Sequence, residues 1–228
     1  MPQILKAKPV NVQVKHRGVF VPPGFDLFKQ DISASIAGEL AEVFNLKSTA
    51  IIVNRNAAST QYLSFRYFLP GEPFRFLDAS IGVDQTEVMF SNPATVAELV
   101  SEVEKVWSAV FRYLKATVAS NYFEATLHCE TNGSSSKAFL NDLVNVKPDI
   151  PGVLKGFSLT SKTENPYMIA RLSLDVSDSL PDGLYVVFAY VRTGGIREVS
   201  SFKELFDAAL TSYRSLQRLA QIDLVEPI

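Results

Sequence analysis

The chain holds one cysteine, two histidines and one tryptophan in 228 residues. A lone Cys129 has no partner for an internal disulfide, which fits a reducing compartment. His16 and His128 stand apart, in neither a HExxH pair nor a Cys/His cluster, so no zinc ligand set is formed. Basic runs are missing, and 22 Lys and Arg against 24 Asp and Glu leave a net charge of −2. That balance lacks the electrostatic footprint of a nucleic-acid binder. No stretch approaches the ~18 uninterrupted apolar residues of a membrane span. Residues 1–15 carry Pro2, Pro9 and three lysines, with no apolar block of signal-peptide length. Gly-x-Ser-x-Gly elbows, CxxC pairs, Walker A loops, dinucleotide fingerprints and paired catalytic carboxylates are absent as well. These absences predict a cytoplasmic protein with no membrane contact, and they assign no catalytic residue, no cofactor and no metal ligand.

What is present is material for a dry core. Apolar residues make up 47% of the chain, and 16 Phe and 8 Tyr stand among them. A capped helix also reads as written twice. Thr95-Val96-Ala97-Glu98-Leu99 opens one copy and Ser201-Phe202-Lys203-Glu204-Leu205 the other. Each start reads as a capping box, in which the hydroxyl accepts from the N–H three residues on and the glutamate reaches back to the cap's own N–H. At the same offset Trp107 matches Tyr213, Val110 matches Leu216 and Arg112 matches Arg218.

The remaining elements follow from periodicity. Residues 9–15 alternate, with Val10, Val12 and Val14 on one face, as a half-buried strand does. After the Pro22-Pro23-Gly24 turn, a helix with Asp26 or Asp31 as cap carries the stripe Leu27, Phe28, Ile32, Ile36, Leu40, Val43 and Phe44. Strands are predicted over 48–55, 61–69, 74–80 and 86–90, with a turn at Pro70-Gly71, ahead of the first capped helix at 95–115. The second half repeats that order. A strand over 122–130 leads to a short helix capped by Ser134-Ser135-Ser136. Breaks at Pro148 and Pro151, strands over 154–161, 168–176 and 184–191, a Gly194-Gly195 turn and the second capped helix at 201–221 follow. The expected fold is therefore α+β, two β-α-β-β-β-α halves (1–118 and 119–228) packed as one globular body of mainly antiparallel sheet. Strand 184–191 is apolar on both faces, and so is 62–69 apart from Ser64 and Arg66, so helices or a second subunit should cover both sides. This is the sequence's hint of a homodimer.

Each chemical constellation has a plainer structural explanation. His128 and Cys129 are neighbours on a strand and point apart, so Cys129 reads as core and His128 as polar face. Asp175, Asp178 and Asp182-Gly183 lack calcium-loop spacing and read as turn chemistry. Asn132-Gly133-Ser134-Ser135-Ser136 and Thr193-Gly194-Gly195-Ile196-Arg197 resemble anion cradles less than they resemble a helix cap and a hairpin turn. Arg66, Tyr67, Phe68, Arg75 and Phe76 interleave cations with aromatic rings, as base-stacking sheets do, without the RNP1 pattern. Tyr62, Arg66, Tyr67, Arg75, Arg192 and Arg197 are accordingly singled out as an interaction surface.

The ending Gly183-Leu184-Tyr185-Val186-Val187-Phe188 followed by Phe202-Lys203-Glu204-Leu205-Phe206-Asp207-Ala208-Ala209-Leu210 resembles that of a sporadically distributed prokaryotic family of uncharacterised two-half α+β proteins. The Trp107 helix, the strand at 122–130 and Phe139-Leu140-Asn141 are similar in placement. In the family, an Arg-, Tyr- and Asn-rich strand usually follows the central helix, where this chain has Phe123-Glu124-Ala125-Thr126-Leu127. The resemblance implies a fold and no activity. The expected function is a non-catalytic protein-interaction module, an accessory component of a bacterial operon or defence-type system, with a protein partner or a second copy of itself. The alternative is an enzyme or small-ligand binder with a pocket between the halves, lined by Tyr, Arg and Asp.

Overall fold

The computed structural model describes residues 4–54, 62–70, 72, 74–131, 135–144, 156–164, 167–196 and 200–224. In chain order the elements are β1 (Leu5–Phe20), α1 (Gln30–Val43), β2 (Ile52–Val53), β3 (Leu63–Phe68), β4 (Phe76–Ile81), β5 (Gln85–Ser91) and α2 (Val96–Tyr113). There follow β6 (Val118–Thr131), α3 (Ser136–Val144), β7 (Phe157–Glu164), β8 (Tyr167–Val176), β9 (Leu184–Ile196), α4 (Ser200–Leu219) and β10 (Ile222–Leu224). The strands form one sheet in the order β2-β3-β4-β5-β1-β6-β9-β8-β7, with β10 beside the start of β1. All pairings are antiparallel except β1 with β10. The protein is thus α+β, and the seam of the sheet is the long β1–β6 ladder.

β1 is longer than the alternation at 9–15 suggested, and its phase slips once. A bulge between Pro9 and Asn11 shifts the register with β6. Leu5 and Ala7 face the core before it, and Val12, Val14, His16 and Phe20 after it. Val10, expected to share a face with Val12, is left half exposed. An extra residue on one strand swaps every later side chain across the sheet, and composition alone does not announce it.

α2 forms as its sequence predicts. The Thr95 hydroxyl accepts from Glu98 N–H (3.1 Å), and Leu99, Val103, Val106, Trp107, Val110 and the following Leu114 are buried. The capping box is closed differently: Glu98 accepts from Ala94 N–H at 2.6 Å, one residue before the cap, and also holds Arg75. α4 departs further, because Ser201 is already its second helical residue and not its cap. α1 begins at Gln30 behind Lys29, without a side-chain cap from Asp26 or Asp31. In its stripe Leu27, Ile36, Leu40 and Phe44 are buried, while Phe28 and Val43 are exposed. The strand expected over 48–55 shrinks to Ile52–Val53. Gly194 and Gly195 make no turn; β9 runs through them to Ile196, which pairs with Val118 across a second bulge. Pro148, Pro151, Gly71 and residues 132–134 lie outside the described residues.

The helices share one face of the sheet. Phe44 at the end of α1 meets Phe65, Trp107 of α2 meets His16, and Phe206 of α4 meets Phe123, while Leu140 of α3 joins the same buried cluster. Among the described residues no helix covers the opposite face. Of the two kinds of cover expected, helices therefore supply one side only, and the second apolar row of β9 is half buried: Tyr185, Val187, Ala189 and Val191 retain partial exposure.

α2 approaches β1 closely at Gly18. A Cβ there would stand 2.5 Å and 2.8 Å from the indole of Trp107. Trp107 is fully buried and has nowhere to move. Gly18→Ala should therefore destabilise the protein by about 1–3 kcal/mol, measured as a lower urea midpoint at unchanged slope. An unchanged midpoint would mean that this contact is slack.

Candidate functional site

The six residues singled out as an interaction surface do not converge. Tyr62 is buried against Phe28 (5.6 Å between rings), and Tyr67 packs on Phe44 (5.3 Å) on the helix-bearing face. Arg75 is engaged in structure, donating to Glu98 (2.5 Å) and to the Asn92 carbonyl (3.0 Å), and so ties β4 to the start of α2. Arg192 aligns with the buried Asn121 on the helix-bearing face. Arg66 alone lies on the uncovered face, donating to both Asp78 oxygens (2.6 and 2.7 Å) with its guanidinium 4.6 Å over Phe76. Arg197 lies outside the described residues. Interleaving along the chain misleads here because adjacent strand residues face opposite ways.

The histidines are also resolved. His16 is fully buried on β1; its Nδ1 accepts from Trp107 Nε1–H (3.0 Å), so its proton sits on Nε2, which donates to Asn121 Oδ1 (3.2 Å). Phe123 and Phe202 flank the ring at 4.5 and 5.2 Å. Burial lowers its pKa to about 3, with the Asn121 hydrogen bond opposing. His128 meets Ser177, a partner that sequence separation hid. The Ser177 hydroxyl donates to His128 Nδ1 (2.8 Å) while its oxygen accepts from Ser179 and Leu180 N–H at 3.2 and 3.1 Å. Both lone pairs of that oxygen close the loop, so Ser177 is a turn cap and not a poised nucleophile. The Ser177-x-Ser179-Leu180 turn is the signal that could have placed it. Cys129 is buried and its thiol is pushed up to about 12 by that burial, as expected of a core residue. Asp182 adopts a left-handed φ of 54° before Gly183, the turn geometry its sequence suggested. No group of three or more metal-ligating side chains exists among the described residues.

Two hollows remain. One is an apolar crevice of about 70 Å³ at the seam between α2 and α4, walled by Val14, Leu99, Phe123, Leu127, Phe206 and Tyr213. It lies between the halves and includes Tyr213, yet its lining has neither the Arg nor the Asp expected of a polar pocket there. The other is a groove of about 490 Å³ on the uncovered face, floored by Ser64, Arg66, Asp78, Ser80, Glu87 and Lys15. Its size is that of an ordinary ligand site.

Beside this groove the charges of the uncovered face gather at the seam. Arg17 stands opposite Glu87 on β5 and Tyr122 on β6, and Lys15 stands opposite Glu124. Lys15 also pairs with Glu87 at 3.4 Å. The Tyr122 hydroxyl donates to Glu124, and Arg17 lies 5.0 Å over the Tyr122 ring. The phenol is pushed up to about 12, first by burial and then by Glu124, while Arg17 and Arg171 oppose the shift. Beyond Glu124, the small Ala189 leaves a shallow floor before Arg171. Central β-strands thus set cations, carboxylates and a tyrosine at alternate positions, directed away from the core.

The buried imidazole makes stability depend on pH with a definite sign. The folded state keeps His16 neutral down to about 3, whereas the unfolded chain takes up its proton near the ordinary value of 6.5. The unfolded state then binds more protons below that value, so this stabilisation is present above pH 6.5 and is lost as pH falls. Urea unfolding should show His16→Gln with a flatter stability profile than the parent between pH 6 and 4, by up to about 1.4 kcal/mol per unit. Parallel profiles would contradict a neutral buried imidazole. Compared with family models, curated proteins and solved structures, the chain matches none.

Proposed function

We propose that the protein is a non-catalytic interaction module that receives a partner protein on the uncovered face of its sheet. The observation that carries this is the one-sided arrangement: helices on one face, and on the other the seam charges, the groove and the half-buried strip of β9. Half-buried apolar and aromatic side chains beside ordered charges are what a recognition face needs. A cytoplasmic location, in an accessory or defence-type bacterial system, belongs to the same reading and draws on the single buried cysteine. None of the described helices is long and apolar enough to cross a membrane.

We also infer that the halves are two copies of one unit. The support is the order of the sheet, which reads β3-β4-β5-β1 outward-to-seam in one half and β7-β8-β9-β6 in the other, each with a helix after its first strand and one after its last. A unit boundary then falls between Tyr113 and Val118. A small-ligand reading is favoured by one observation, the size and polarity of the groove around Asp78 and Ser80.

The test is to block the face. Ala189→Trp projects an indole from the middle of the uncovered face, and Lys137→Trp on the exposed surface of α3 serves as control. In affinity capture from host extract, the partner held by the parent and by Lys137→Trp should fall at least about tenfold for Ala189→Trp. Light scattering of the same variants shows whether that partner is a second copy. Equal capture by both variants would remove the uncovered face from the account.

A further inference from the structure

The uncovered face also indicates what kind of partner fits it. In its two central rows each carboxylate is already engaged: Asp78 by Arg66, Glu87 by Lys15, and Glu124 by the Tyr122 hydroxyl. Two cations have no carboxylate. Neither Arg17 nor Arg171 has a carboxylate at ion-pair distance among the described residues, and Arg17 Nε is shielded from solvent without any acceptor. A guanidinium nitrogen sealed from water without an acceptor leaves a hydrogen-bond deficit, while the rest of the Arg17 side chain keeps partial exposure to an incoming carboxylate. Arg17 and Arg171 stand on either side of Tyr122 and Ala189, and between them the strip Val187, Ala189 and Val191 is apolar and low. Across the seam, Lys15, Arg17 and Arg171 face Glu87 and Glu124, so the unspent charge is positive although the whole chain is at −2.

Resting on the interaction reading above, we propose that the segment received on this face is an acidic, extended stretch of a partner protein, whose carboxylates are taken by Arg17 and Arg171. The planar forks match carboxylates in a bidentate manner, and the apolar strip of β9 receives the side chains between them. An extended segment fits because the two arginines sit on β1 and β8, with β6 and β9 between, so a ligand must span strands to reach both.

The experiment uses the full chain and three fluorescein-labelled octapeptides, of glutamate, lysine and serine, read by anisotropy at low salt and at about 150 mM. The glutamate peptide should bind, more weakly at the higher salt, and the other two should not. Arg171→Gln, at an exposed position, and Arg17→Gln should each weaken binding about tenfold, and Ala189→Trp should abolish it, with circular dichroism spectra unchanged. Failure of the glutamate peptide, or binding indifferent to both arginine substitutions, overturns the proposal. If the serine or lysine peptide binds as well and Ala189→Trp blocks it, the face survives as an interaction surface and its acidic preference does not. If Ala189→Trp blocks nothing that binds, both are lost. Saturation by inorganic phosphate at concentrations where the glutamate peptide stays free would assign the arginines to a free anion and overturn the proposal too.

Discussion

The structure depends on the pairing of β1 with β6. This ladder runs from Ala7 with Thr131 to Phe20 with Val118 and joins two sets of strands into one sheet. On its core side the ladder holds an imidazole, not a hydrocarbon. His16 ties Trp107 of α2 to Asn121 of β6, and Phe123, Phe202 and Phe206 close around it. A buried polar group that is satisfied on both ring nitrogens costs little, and it admits only one register. A slip of one residue would carry His16 to the uncovered face and leave the Trp107 N–H without an acceptor. The network therefore holds strand register and helix position together, which pure hydrocarbon packing does less sharply.

The same ladder separates the two faces in their tasks. Alternate residues of β1 send Val14, His16 and Phe20 into the core and Lys15 and Arg17 outward. The core face is filled by aromatic stacking, such as Trp107 on Phe202 at 5.1 Å. The outer face is ordered by charge, with ion pairs and a cation–π contact holding its side chains in place. Such prearrangement would lower the entropy cost of the proposed docking. Scaffold and the proposed recognition face are thus built from adjacent residues of one strand.

Much of this was legible in the chain. The α2 stripe and its Thr95 cap follow from local rules, as do the strands at 76–81, 85–91 and 167–176, because period and capping are short-range signals. The β1 bulge was not legible, since it depends on how Pro9 is accommodated against β6. Nor was the uncovered face: the apolar rows of β3 and β9 speak equally for burial by helices and for a half-buried outer surface. The candidate surface misled most. Arg66 and Tyr67 are adjacent in sequence and oppose each other in space, while Arg17, Tyr122 and Arg171 meet only because β1, β6, β9 and β8 are neighbours in the sheet. His128 and Ser177 are likewise joined by topology alone.

The central claim is that one face of the sheet carries helices while the other stands open in the isolated protein. Hydroxyl-radical footprinting tests it directly, by the rate at which each aromatic or sulfur side chain is oxidised. Tyr122, Tyr185 and Met89 should be modified readily, and Trp107, Phe90 and Tyr190 should be protected until the protein unfolds. Protection of Tyr122 and Tyr185 to the level of Trp107 in the monomer would contradict the account.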